Sequence, residues 1–141
     1  MTLLQIYAIT TIVLALKMSA ISVFQGVART KAGAFVNPED ATMFHANQAP
    51  EEAPAVRRAA RAWGNDLENI PIFLILAWIY VAAALSTTAF TAYCVVFMVA
   101  RIAHTFCYLN SIQPLRTIAY AIGALTTLAL IIQLFIGVVM A

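Results

Sequence analysis

Residues 61–71 of this chain read RAWGNDLENIP, and from Ile72 the sequence continues IFLILAWIYVAAAL. Arg61, Asn65, Asp66 and Glu68 therefore crowd against a run that carries no charge from Ile70 to Leu85. A soluble helix spreads its charges along one face, and a plain membrane anchor keeps only a short flanking charge; this stretch does neither. Spacing sorts the polar residues into stripes. Arg61, Asn65 and Glu68 stand at i, i+4 and i+7, one line along a helix. Arg101, His104 and Tyr108 stand at i, i+3 and i+7, and Arg116 and Tyr120 at i and i+4 with Thr117 beside them. Arg29 closes the first apolar segment.

In this set Arg29, Arg61, Arg101 and Arg116 outnumber Asp66 and Glu68. A guanidinium fork holds a carboxylate bidentately, and a carboxylate such as Glu68 suits an ammonium. The residue types thus match a small zwitterion with more than one carboxylate. Ionisable groups cost about 2.5–3.5 kcal/mol each at a bilayer centre, so they persist where they are paired or used. A second reading stays open for each residue singly: Glu68 and Arg101 neutralise one another, and the other arginines reach lipid phosphates. For the whole set, the positive excess argues against it.

The elements that must carry these stripes are membrane spans. The chain has 141 residues, 63% hydrophobic and 10% charged, with mean hydropathy +0.89, whereas soluble domains carry about 25% charged residues. Four apolar segments, about 3–28, 62–85, 89–109 and 115–140, approach or exceed the roughly 20 residues that cross a bilayer. The expected architecture is all-α: one domain over 1–141, a four-transmembrane-helix bundle. The long connection, 29–58, carries Glu51 and Glu52 before Arg57 and Arg58, the pattern of a helix start. The other two loops, STTA and NSIQP, are short enough to make neighbouring helices antiparallel.

Arg29, Lys31, Arg57, Arg58, Arg61 and Arg116 all fall with the first and third loops, which places those loops in the cytosol by the positive-inside rule. The polar stripes then lie at one depth on the cytosolic side. The N-terminus has no basic leader or small-residue cleavage site, so the first segment reads as a retained span. A net charge of +2, carried by scattered basic residues, speaks against nucleic-acid binding. Cys94 and Cys107 read as buried small hydrophobes. Only His45 and His104 are histidines, too few at ligand spacing for a metal site. His104 reads as a structural hydrogen-bonding residue or as part of a pocket wall.

Four blocks carry a family resemblance: NPEDA (37–41), RAWGNDLENIPIF (61–73), RIAHTFCYL (101–109) and PLRTIAY (114–120). They resemble the membrane-associated proteins in eicosanoid and glutathione metabolism, the MAPEG family, within it most the branch of microsomal prostaglandin E synthase and microsomal glutathione transferase 1. The resemblance implies a homotrimer with glutathione bound between neighbouring subunits near the cytosolic face. Arg61, Asn65, Glu68, His104, Tyr108, Arg116 and Tyr120 would come from one subunit and Arg29 from the next. Glu68 would take the glutamyl ammonium and the arginines the two carboxylates. Arg116 would stabilise the thiolate, the nucleophilic form of a thiol, and Thr117 would donate a hydrogen bond to the sulfur. Asp40 matches a proposed proton-transfer partner, a loop or cap role being the other reading.

Trp63 stands where relatives have His or Gln, Gly64 replaces an Arg, and the loop before Pro114 is one residue shorter than in the prostaglandin synthase. The activity so implied is that of a membrane-bound glutathione transferase of detoxifying type. It would conjugate hydrophobic electrophiles that arrive from the bilayer, with peroxidase activity toward lipid hydroperoxides. The alternatives are a glutathione-dependent isomerase and a non-catalytic lipid-binding protein. Compact loops and the lack of a targeting or retrieval signal favour a bacterial inner membrane.

Overall fold

The computed structural model describes residues 1–140. In chain order it contains α1 (Leu3–Ala32), β1 (Ala34–Phe35), α2 (Pro38–Met43), β2 (Asn47–Gln48), α3 (Pro54–Ala82), α4 (Thr87–Leu109) and α5 (Leu115–Leu134). A π-helical turn, Phe135–Val139, continues α5.

Local chemistry explains the helix ends. Thr2 caps α1 in a reciprocal box with Gln5, and Gly33 closes it at φ 61°, a left-handed conformation that glycine adopts without strain. Pro54 occupies the first turn of α3, where a missing backbone N–H costs nothing. The Ser86 hydroxyl accepts from the Ala89 N–H at the start of α4. Helix α3 therefore starts at Pro54, upstream of the apolar boundary near 62, so one continuous rod carries Arg57, Arg58, Arg61, Asn65 and Glu68. The long connection also contains a two-residue parallel pairing, Ala34 with Asn47 and Phe35 with Gln48.

Four helices are long and apolar enough to cross a membrane, and only 22–39% of each one's most apolar window is buried. The remainder, including Leu16, Val23, Ile75, Val99 and Leu125, faces outward, a surface that suits acyl chains rather than water. Within the bundle α1 packs on α3 and α4, while α4 and α5 form the other close pair. The core is aromatic: Phe73 stacks on Phe97 at 3.8 Å between centroids, and Tyr80 on Phe90 at 5.0 Å. Leu14, Ala77, Cys94 and Leu130 fill the space around them. Both cysteines are free and buried.

Candidate ligand-binding site

The α3 stripe, the end of α4 and the start of α5 meet at two adjoining clefts that share Arg61 and Tyr108. One, about 290 Å³, is lined by Pro54, Arg57, Arg58, Arg61, Tyr108, Ser111, Gln113 and Arg116. The other, about 370 Å³, is lined by Arg61, Gly64, Asn65, Glu68 and Tyr108. Guanidinium groups thus gather at one end, and a single carboxylate stands at the other. The Arg116 guanidinium carbon lies 4.6 Å from the Tyr108 ring centroid, a cation–π contact that limits its rotamers without consuming its donors. Behind Tyr108, at a centroid distance of 5.6 Å, His104 is buried, and its ring is 6.2 Å from that of Tyr120. Arg58 donates from Nη1 to the Leu109 carbonyl at 3.2 Å. It thereby places a cation on the open C-terminal end of α4 and ties α3 to it.

Five of the expected residues, Arg61, Asn65, Glu68, Tyr108 and Arg116, line these clefts, with His104 and Tyr120 in ring contact behind them. Thr117 lines neither cleft, and its hydroxyl donates to Gln113 Oε1 at 3.2 Å. Arg29 also stands apart, held by Glu52 with Nη2 2.5 Å and Nε 3.1 Å from Oε1. Asp40 sits in the first turn of α2, where its carboxylate accepts from Asn37 Nδ2 at 3.1 Å. The N-cap position there belongs to Asn37, so Asp40 is not the cap.

The pairing of Glu68 with Arg101 does not occur. Arg101 is fully buried and binds Asp66, with Nη2 2.7 Å and Nε 3.2 Å from Oδ1. The Asp66 Oδ2 accepts from the Lys17 ammonium and, at 3.4 Å, from the Thr105 hydroxyl. Arg101 Nη2 also donates to Asn65 Oδ1 at 2.5 Å. Helical phase explains the exchange. Asp66 shares its face with buried Ala59, Ala62, Ile70 and Phe73, which look into the bundle, while Glu68 is turned outward. Arg101 therefore belongs to the interior and not to the set of free cations. Lys17 and Thr105 are the members that reading by stripes passes over; a lone cation inside the first apolar segment was the available signal.

The sequence model of the MAPEG family matches residues 7–136. The chain belongs to the MAPEG family. The resemblance carried by the four blocks therefore holds across nearly the whole chain. Among its relatives, prostaglandin E synthase of Homo sapiens is 33% identical over 131 residues, which span 91% of this chain and 85% of that protein. Microsomal glutathione S-transferase 1 of Bos taurus is 35% identical over 130 residues, 89% of this chain and 83% of that protein. With four spanning-length helices in this family, the chain is a multi-pass membrane protein.

Proposed function

We propose that this MAPEG protein is a membrane-bound glutathione transferase that conjugates hydrophobic electrophiles arriving from the bilayer. One observation carries the reading: Arg116, held over Tyr108, opens into the same cleft system that Arg61, Asn65 and Glu68 line. The donor set fits the tripeptide. Glu68 is the partner for its ammonium, and the arginines at the opposite end suit its carboxylates. Glutathione supplies a thiol, which is a strong nucleophile only as the thiolate. Arg116 stabilises that negative charge. Lowering a thiol pKa by one or two units takes roughly 1.4–2.7 kcal/mol, within reach of one guanidinium whose rotamers Tyr108 already limits. The same thiolate would reduce lipid hydroperoxides.

The cluster of basic residues at this end supports a cytosolic cleft, and the compact loops favour a bacterial inner membrane. Arg29, apart from the cleft within one chain, is proposed to reach it across the subunit boundary of a homotrimer, Asp40 to serve as a proton-transfer partner, and Thr117 to turn its hydroxyl toward the sulfur.

A glutathione-dependent isomerase is the second reading, favoured by the 33% identity to prostaglandin E synthase. An isomerase returns glutathione unconsumed and a transferase does not, so product analysis separates the two. The first experiment adds glutathione to the detergent-purified protein and follows ultraviolet thiolate absorbance, with Arg116→Ala alongside. Thiolate formed by the wild type and lost in the variant supports the reading. Unchanged turnover in Arg116→Ala with glutathione still bound would remove it, and no binding at all would favour a lipid-binding protein.

A further inference from the structure

We infer that Arg101 is a positioning residue for the cleft: locked by Asp66, it fixes the side-chain amide of Asn65 so that the amide N–H groups face the ligand. This inference rests on the glutathione reading and adds to it a group that never touches the tripeptide. The argument begins with hydrogen-bond direction. A guanidinium has donors only, so the Asn65 atom that meets Arg101 Nη2 at 2.5 Å must be the carbonyl oxygen Oδ1. The amide nitrogen then occupies the opposite branch. Among the described residues no group accepts from that nitrogen, and Asn65 lines the cleft beside Arg61 and Glu68. Its donors are left for an acceptor on the bound molecule, a carbonyl or a carboxylate.

Arg101 has little freedom to release this orientation. The Asp66 Oδ1 takes both Nη2 and Nε, which fixes the plane of the guanidinium. Asp66 is itself fully buried and held through its other oxygen by Lys17 on α1 and Thr105 on α4. Two helices thus clamp one carboxylate of a third, the carboxylate clamps one guanidinium, and the guanidinium sets one amide. A freely rotating Asn on an open groove would lose half its encounters to the wrong face and entropy on binding; a preset donor avoids both. Apolar packing alone would hold the bundle as well as this buried ion group does. The amide it aims gives the group a reason to be there.

The test is a double-variant cycle on glutathione affinity, measured by titration calorimetry with the full-length protein in detergent. Arg101→Lys keeps the positive charge beside Asp66 but lacks the fork that reaches Asn65. It is expected to weaken glutathione binding about five- to tenfold, the worth of one oriented hydrogen bond. Asn65→Ala is expected to lose a similar factor, and the double variant no more than either single change. Losses that multiply in the double variant would overturn the inference, because Arg101 would then act independently of Asn65. Asn65→Asp gives a second readout should Arg101→Lys fold poorly. It keeps an acceptor for Arg101 and removes the N–H, so melting temperature should hold while glutathione affinity falls by a factor that persists at about 1 M salt, where repulsion by the added charge is screened; affinity equal to wild type, or a loss that vanishes at high salt, would overturn the inference. A wild type that binds no glutathione would instead remove the reading beneath it, a result distinct from binding with multiplying losses.

Discussion

Substitution of Asp66 by Asn changes almost no volume and removes one negative charge, which makes it a clean probe of the buried ion group. The Asp66 carboxylate is fully buried, and its two cations expose only 10% and 1% of their side chains, Lys17 and Arg101 respectively. In Asp66→Asn those cations face one another without an anion. Removing one partner of a buried ion pair costs about 3–5 kcal/mol, because the surviving charge is left uncompensated. For a chain of this length that corresponds to a melting temperature lower by roughly 10–17 °C.

Lys17→Met should behave in the opposite way. Two cations against one carboxylate leave the group at net +1, and removing the lysine brings it to zero while Asp66 keeps both Arg101 contacts and Thr105. The methionine fills much of the vacated space, so the change should stay within about 1 kcal/mol of wild type or stabilise. Far-ultraviolet circular dichroism melts of both variants in one detergent decide the matter. Equal destabilisation by both would refute the reasoning, since Lys17 would then be an indispensable partner rather than a surplus charge. A harmless Asp66→Asn would refute it as well.

Two further outcomes follow from the cleft. A Cβ added at Gly64 meets nothing within 4 Å, so Gly64→Ala should stabilise the α3 interior by about 0.5–1 kcal/mol; a lower melting temperature would mean that another body, such as a second subunit, fills that space. Glu68 is exposed on the cleft wall, so Glu68→Gln should leave melting unchanged and weaken glutathione roughly tenfold, as expected for a lost charge-assisted hydrogen bond. A glutathione analogue lacking the amino group should bind both forms equally, and an equal loss for the analogue would show that Glu68 does not meet the ammonium.

The helices could be read from the sequence because membrane spans are written as charge-free runs, and the outward stripe of α3 could be read because Arg61, Asn65 and Glu68 repeat with the helical period. The start of α3 was signalled only in part, by Glu51 and Glu52 ahead of Arg57 and Arg58; the apolar pattern puts the span from about 62 and the connection to 58, whereas the helix begins at Pro54. The pairing of β1 with β2 had no such signal. Two residues in each strand carry no alternation, and their register is set by how the connection folds over the end of the bundle. The partner of Arg101 was hidden for a related reason. Spacing shows which residues share a face of one helix but not which face of the next helix they meet. Lys17 and Asp66 lie 49 positions apart and on different helices, so only the rotation of α1 against α3, set by packing, brings them together.

That rotation links the stability of this bundle to its chemistry. Neighbouring helical residues point about 100° apart, so Asn65 and Asp66 leave the same turn of α3 in different directions, one to the cleft and one to the interior. Arg101 reaches both. Were α3 turned by one residue, Asn65 would enter the core and Asp66 would face the arginines of the cleft, reducing the positive excess that an anionic ligand needs. The buried ion group resists that slip, because its anion finds two cations in only one register. A simple apolar seam between α3 and α4 would hold the helices together but would distinguish far less between neighbouring registers. The buried charge therefore costs stability in exchange for a defined angle, and that angle fixes which face of α3 looks out on Arg61, Glu68 and Arg116.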